Sequence, residues 1–110
     1  MVASLTHPKG LSPEAFAEKA AAASAMLRAL AHEARLMVLC QLVEGERHVG
    51  ALQEGSGLSQ SALSQHLARL RDEGLVATRR DGVTIYYRLA DARAAKVLET
   101  LAAIYCPPEE

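Results

Sequence analysis

The chain has 110 residues, enough for one domain with one modest core, and half of them are hydrophobic. The formal net charge of -1 does not announce a nucleic-acid binder, so the distribution of charge matters more than its sum. No run of about 20 apolar residues is present to span a membrane, and the opening MVASLTHPKG lacks the basic-then-apolar order of a signal peptide. A cytoplasmic protein with no membrane partner is expected. Only 4% of residues are aromatic and there is no Trp. A small aliphatic core of this kind is often completed by dimerisation, so a homodimer is expected.

Residues 1 to 10 read as a loose arm. Ser12-Pro13-Glu14 then supplies a cap, a proline suited to the first turn, and an acid at the positive end of the helix dipole. The spacing predicts a helix from about Pro13 to Leu30, with small residues from Ala20 to Ala25 that allow close approach of another helix. His32 opens a second helix to about Val43. It is apolar nearly all round, which places it centrally. Gly45 ends it. Val49 to Glu54 is a short helix, and Gly55-Ser56-Gly57 reads as a turn. Ser59 can cap the next helix by accepting from its first free N–H groups. Leu63, Leu67 and Leu70 form one buried stripe along it, and Gly74 ends it. Residues 76–80 and 83–89 are β-branched, aromatic and partly alternating. Asp81-Gly82 between them is a two-residue hairpin signal. Asp91 caps a last helix to about Tyr105, and Pro107-Pro108 stops it. The expected fold is mainly α with a β-hairpin, in the order α-α-α-α-β-β-α, over a single domain of residues 1 to 110.

The stretch from Leu58 to Leu89 carries most of the functional information. Opposite the leucine stripe lie Gln60, Ser61, Ser64 and Gln65, uncharged and rich in donors and acceptors. Base edges in a major groove are read by such groups. Arg69, Arg71, Arg79, Arg80 and Arg88 outnumber Asp72, Glu73 and Asp81 in this stretch, whereas the preceding segment from Ala31 to Leu58 is acidic. On charge alone this is an ordinary solvated surface. The hairpin arginines beside a groove-reading helix give it a second meaning. No nucleophile–base constellation and no phosphate-binding glycine loop is present, so an enzyme is not expected and no cofactor is implied.

The run Ser59-Gln60-Ser61-Ala62-Leu63-Ser64-Gln65-His66-Leu67, then Leu70-Arg71-Asp72-Glu73-Gly74-Leu75-Val76, then Tyr87-Arg88-Leu89, resembles the winged helix-turn-helix of ArsR-type bacterial transcriptional repressors. Leu30-Ala31-His32-Glu33-Ala34-Arg35-Leu36 is similar to that family's LSHPxRL phrase. The resemblance implies a homodimer, built through the first and last helices, that binds double-stranded operator DNA. The implied DNA-binding residues are Ser59, Gln60, Ser61, Ser64, Gln65, His66, Arg69, Arg79 and Arg80. His66, next to Leu67, could instead cap or pack.

Many members of the family bind metal through a Cys-Val-Cys pair, and the matching phrase here places His48 and Gly50 at the thiolate positions. One imidazole cannot make the four-ligand shell that zinc-like ions favour. Other members use Asp and His on the last helix, which here has Asp91 and Glu99 but no His. His7, His32 and His66 have no recognisable ligand spacing. No metal site is expected. Cys40 and Cys106 remain. Read by itself, Cys40 fits inert packing among aliphatic residues. The phrases around the two cysteines, Leu39-Cys40-Gln41-Leu42-Val43-Glu44-Gly45-Glu46 and Ile104-Tyr105-Cys106, are similar to the sulfide- and redox-sensing branch typified by SqrR, BigR and HlyU. That similarity implies a dithiol switch within one protomer, triggered by reactive sulfur species or oxidants. A metal-responsive repressor and a winged-helix module with inert cysteines are the competing readings.

Overall fold

A computed structural model describes residues 10–107. The proposed N-terminal arm (apart from Gly10), His7 and Pro108 lie outside the described residues. The elements run α1 (Pro13–Leu30), α2 (Glu33–Gln41), β1 (Arg47–His48), α3 (Val49–Ser56), α4 (Gln60–Asp72), β2 (Val76–Asp81), β3 (Thr84–Leu89) and α5 (Ala92–Tyr105). The chain forms two compact units, one up to Ala31 and one from His32 onward.

The first unit is α1, and it spans the residues the sequence predicts. Ser12 accepts from the Ala15 N–H at 3.1 Å, and Pro13 occupies the first turn, where a missing N–H costs nothing. Near the other end, Arg28 donates to the Ser24 hydroxyl at 2.9 Å.

In the second unit, α2 is central, as its apolar circumference requires. Val38, Leu39 and Leu42 are buried together with Leu52, Leu63, Leu67, Leu70, Leu75, Val76, Ala94 and Leu98. Burying each large aliphatic side chain is worth about 1.5–3 kcal/mol. α2 stops at Gln41, two residues before the expected end. Tighter bonds from Leu42 N–H to Leu39 O and from Val43 N–H to Cys40 O close its last turn. α5 begins where predicted, with the Asp91 carboxylate accepting from Arg93 N–H at 2.8 Å and Ala94 N–H at 3.3 Å. The Arg93 side chain and these two N–H groups hold the Asp91 pKa below its ordinary value, against the opposing effect of burial.

Three features depart from expectation. α3 continues through Ser56, so Gly55 lies inside the helix. The chain turns at Gly57, whose φ of 71° supplies the left-handed C-terminal position. The hairpin loop is Gly82-Val83 rather than Asp81-Gly82, because Asp81 stays paired with Thr84. Gly82 has φ of 65° while Val83 is not left-handed, the pattern of a type II′ turn with glycine first. Finally, β1 adds a short third strand, with Arg47 opposite Tyr87 and His48 opposite Tyr86, giving the sheet order β1-β3-β2. The fold is a winged helix-turn-helix, mainly α with an antiparallel wing.

Candidate nucleic-acid interface

The helix expected to read DNA is α4. Ser59, in extended conformation, accepts from the Ala62 N–H at 3.2 Å and so starts the helix. Leu63, Leu67 and Leu70 are at most 2% exposed. With that stripe fixed inward, helical geometry turns Ser61, Ser64 and Gln65 outward. Gln60, Ser61, Ser64, Gln65 and Arg69 are all exposed. Ser61, Ser64 and Gln65 thus share one outward face, and Gln60 and Arg69, singled out with them from the sequence, are exposed on the same helix.

The turn before α4 is held by side chains. Buried Ser56 donates to the Gln53 carbonyl at 3.3 Å and accepts from the Leu58 N–H at 3.3 Å. Gln41 at the end of α2 donates to the carbonyls of Met37 and Leu52, at 3.0 and 3.3 Å. Its amide lies in the space that a Cβ at Gly55 would fill. At the far end of α4, nearly buried Arg35 of α2 lies 3.9 Å from a Glu73 carboxylate oxygen. The sequence did not mark Arg35 for this role, although an arginine at the start of an apolar helix is a usable signal.

His66 is half-buried and faces α2, its ring centroid 5.1 Å from that of His32. Burial pushes its pKa down, and the positive charges of His32, Arg35 and Arg69 add to the effect. The ring contact accords with packing, the alternative kept open for His66 beside DNA binding.

The wing separates two arginines that the sequence treated alike. Arg79 Nε lies 2.9 Å from both carboxylate oxygens of Glu46, and its Nη2 lies 2.9 Å from one of them. Its guanidinium carbon stands 4.5 Å from the centre of the Tyr86 ring. Hydrogen bonding to Glu46, above all, pushes its pKa further up. Arg80, one residue on, is exposed and has no ion pair among the described residues.

The two cysteines are free thiols on different elements. Cys40 is half-buried on α2, and Cys106 is exposed as the residue capping α5. α2 and α5 pack against each other. Burial raises the Cys40 pKa, and the nearby Cys106 charge raises it further. Among the described residues no three His, Cys, Asp or Glu side chains cluster to hold a metal ion, and no helix is long and apolar enough to cross a membrane.

Residues 32–78, from the start of α2 into the wing, match the family described as bacterial regulatory protein, arsR family. A biofilm growth-associated repressor of Agrobacterium fabrum is 46% identical over 87% of this chain and 82% of its own length. The chain belongs to the ArsR family of bacterial regulatory proteins. It is a transcriptional regulator of the winged helix-turn-helix type and not an enzyme. The transcriptional activator HlyU of Vibrio cholerae is 45% identical over 81% of the chain and 82% of its own length. The structure of reduced HlyU from that organism superposes with a TM-score of 0.79 at 44% identity, covering 83% of this chain and 96% of that one. A homodimeric winged helix-turn-helix DNA-binding domain from Mycobacterium bovis superposes with a TM-score of 0.68 at 31% identity, covering 87% and 88% of the two chains.

Proposed function

We propose that this regulator binds operator DNA as a homodimer and releases it when Cys40 and Cys106 become covalently joined. The observation that carries the DNA-binding part is the outward face of α4. Gln60, Ser61, Ser64 and Gln65 can meet base edges in the major groove, while Arg69 and Arg80 meet the phosphate backbone. Ile104 and Tyr105 at the end of α5 are 62% and 77% exposed in the single chain. These apolar side chains, together with the small residues of α1, favour a dimer built on the terminal helices. A two-fold dimer sets its two α4 helices into successive major grooves about 34–36 Å apart. The similar Mycobacterium bovis domain is a homodimer. The proposed output is repression by occupancy of the operator.

The packing of α2, which carries Cys40, against α5, which Cys106 caps, supports the release step. Exposed Cys106 meets reagents from solvent first. Its thiolate takes the outer sulfur of a persulfide, and the donor leaves as a thiol. The Cys40 thiolate then attacks the Cys106 sulfur and expels hydrosulfide, leaving a disulfide. A second sulfur transfer before closure gives a trisulfide, again with hydrosulfide as the leaving group. A disulfide needs Cα atoms roughly 4.4–6.8 Å apart, and each added sulfur widens that reach. Either bridge ties α2 to α5, and α5 belongs to the proposed dimer interface. A small shift there moves both α4 helices out of register with the half-sites. The description of the HlyU structure as reduced accords with thiol chemistry in a relative.

Selection of bound duplexes from a random pool, followed by intact-mass measurement after persulfide treatment, tests both parts. A recurring two-fold sequence and an intramolecular crosslink are expected. Failure to enrich any sequence would overturn the first part, and an uncrosslinked mass under conditions that release DNA would overturn the second.

A further inference from the structure

We infer that Arg79 is a positioning residue, clamped to Glu46 and Tyr86 so that it fixes the wing rather than touching DNA. This rests on the operator-binding reading above. Sequence logic gives Arg79 and Arg80 one role, as cations on a wing. The geometry gives them two. Both carboxylate oxygens of Glu46 are engaged by Arg79, with every contact at 2.9 Å. The Tyr86 ring, its centre 4.5 Å from the guanidinium carbon, adds a cation–π partner. Exposed ion pairs are usually worth little, but a bidentate fork with a cation–π partner is the geometry that escapes this rule.

The location explains what the clamp does. Glu46 lies between α2 and β1, and Arg79 sits on β2, 33 residues later. β1 is only two residues long and runs straight into α3, the first helix of the helix-turn-helix. Its short ladder with β3 is thus a slender attachment between the wing and the reading head. Arg47 reinforces the joint from the other side, donating from Nε to the Gln41 carbonyl at 3.0 Å. The Glu46–Arg79 fork links the opposite strand of the hairpin, β2, to the same joint. It sets the angle at which neighbouring Arg80 is presented. Removing it frees the wing to rock, and wing contacts then cost more ordering on binding.

Salt-dependent binding of the full chain to operator and to non-specific duplex distinguishes this role from direct contact. Four variants are compared: Glu46→Gln, Arg79→Lys, Arg79→Glu and the charge swap Glu46→Arg/Arg79→Glu. Glu46→Gln removes a negative charge, so simple electrostatics predicts tighter binding to any DNA. The clamp predicts severalfold weaker operator binding. Arg79→Lys keeps the charge but loses the fork; the clamp predicts the same weakening, whereas a phosphate contact would survive largely intact. The swap should restore much of the operator affinity lost in Arg79→Glu alone, because the pair is rebuilt. Thermal unfolding of each variant near the wild-type midpoint confirms that a folded wing is being compared. Tighter binding by Glu46→Gln, full operator affinity in Arg79→Lys, or no rescue by the swap would overturn the clamp. Wild-type protein that bound no duplex preferentially would instead overturn the operator-binding reading.

Discussion

Ser59 offers a separation of stability from DNA recognition, because its hydroxyl caps α4 at the edge of the proposed interface. The bond from Ala62 N–H to the Ser59 hydroxyl is 3.2 Å long and satisfies one of the first N–H groups of the helix. Removing such a cap costs about 1 kcal/mol, with a range of roughly 0.5–2. In a small domain each kcal/mol lowers the melting temperature by roughly 4 °C or more. Ser59→Ala should therefore melt several degrees below the wild type. Ser59→Gly should fall between them, since glycine at a cap costs only a few tenths of a kcal/mol. Ser59→Asp keeps the acceptor and adds a negative charge at the positive end of the helix dipole, so its stability should equal or exceed that of the wild type. On DNA the order changes. In the proposed complex an aspartate at this position would face the phosphate backbone, so this variant should bind operator most weakly of the four proteins. Thermal melts monitored by circular dichroism and titrations by fluorescence anisotropy read the two orders. Identical melting of Ser59→Ala and wild type would refute the cap. Undiminished operator binding by Ser59→Asp would refute the placement of this helix start beside the backbone.

Other expectations follow from single contacts. Gly55→Ala would ordinarily stabilise a helix by about 0.5–1 kcal/mol, but here the new methyl displaces Gln41 from its carbonyl partners. Each lost hydrogen bond costs about 0.5–1.5 kcal/mol, so urea denaturation should show no gain in the wild-type background and the full gain once Gln41→Ala is present. His66 has a folded pKa below its ordinary value, so the unfolded chain binds more protons between the two. Unfolding free energy should therefore fall as pH drops below about 6.5, and His66→Gln should flatten that part of the profile. Gln65→Ala should cost roughly 1–3 kcal/mol at one operator position and relax specificity there. Arg80→Gln should weaken all duplexes alike and lower the salt slope by about one; equal slopes for Arg80→Gln and wild type would remove Arg80 from the backbone contacts.

The parts of the fold legible in the sequence are those whose cause is local. Ser12, Ser59 and Asp91 start helices through bonds to N–H groups two or three residues ahead, and each does so in the structure. The Leu63, Leu67 and Leu70 stripe orients α4, and so places its polar face, from spacing alone. What escaped prediction depends on partners distant in sequence. β1 has two residues and no periodicity, and exists because Tyr86 and Tyr87 lie beside it. Gly55 read as a helix breaker, yet its lack of a side chain makes room for Gln41, which precedes it on another helix. Arg79 read as a DNA cation, and only the fold reveals Glu46 beneath its fork. The hairpin loop moved by one residue because Gly82 takes the first loop position, whereas the sequence signal set it second.

The central claim is that one covalent link between Cys40 and Cys106 takes the regulator off its operator. The direct measurement is a single titration of the reduced protein–operator complex with a low-molecular-weight persulfide, following anisotropy and intact mass in the same samples. For the wild type, release should track the fraction of chains carrying an intramolecular bridge, and a reducing thiol should reverse both. Cys106→Ser should bind the operator as the wild type does, remain bound through the titration, and show no bridged mass. Release of Cys106→Ser at the wild-type persulfide concentration, without a bridged species, would contradict the account.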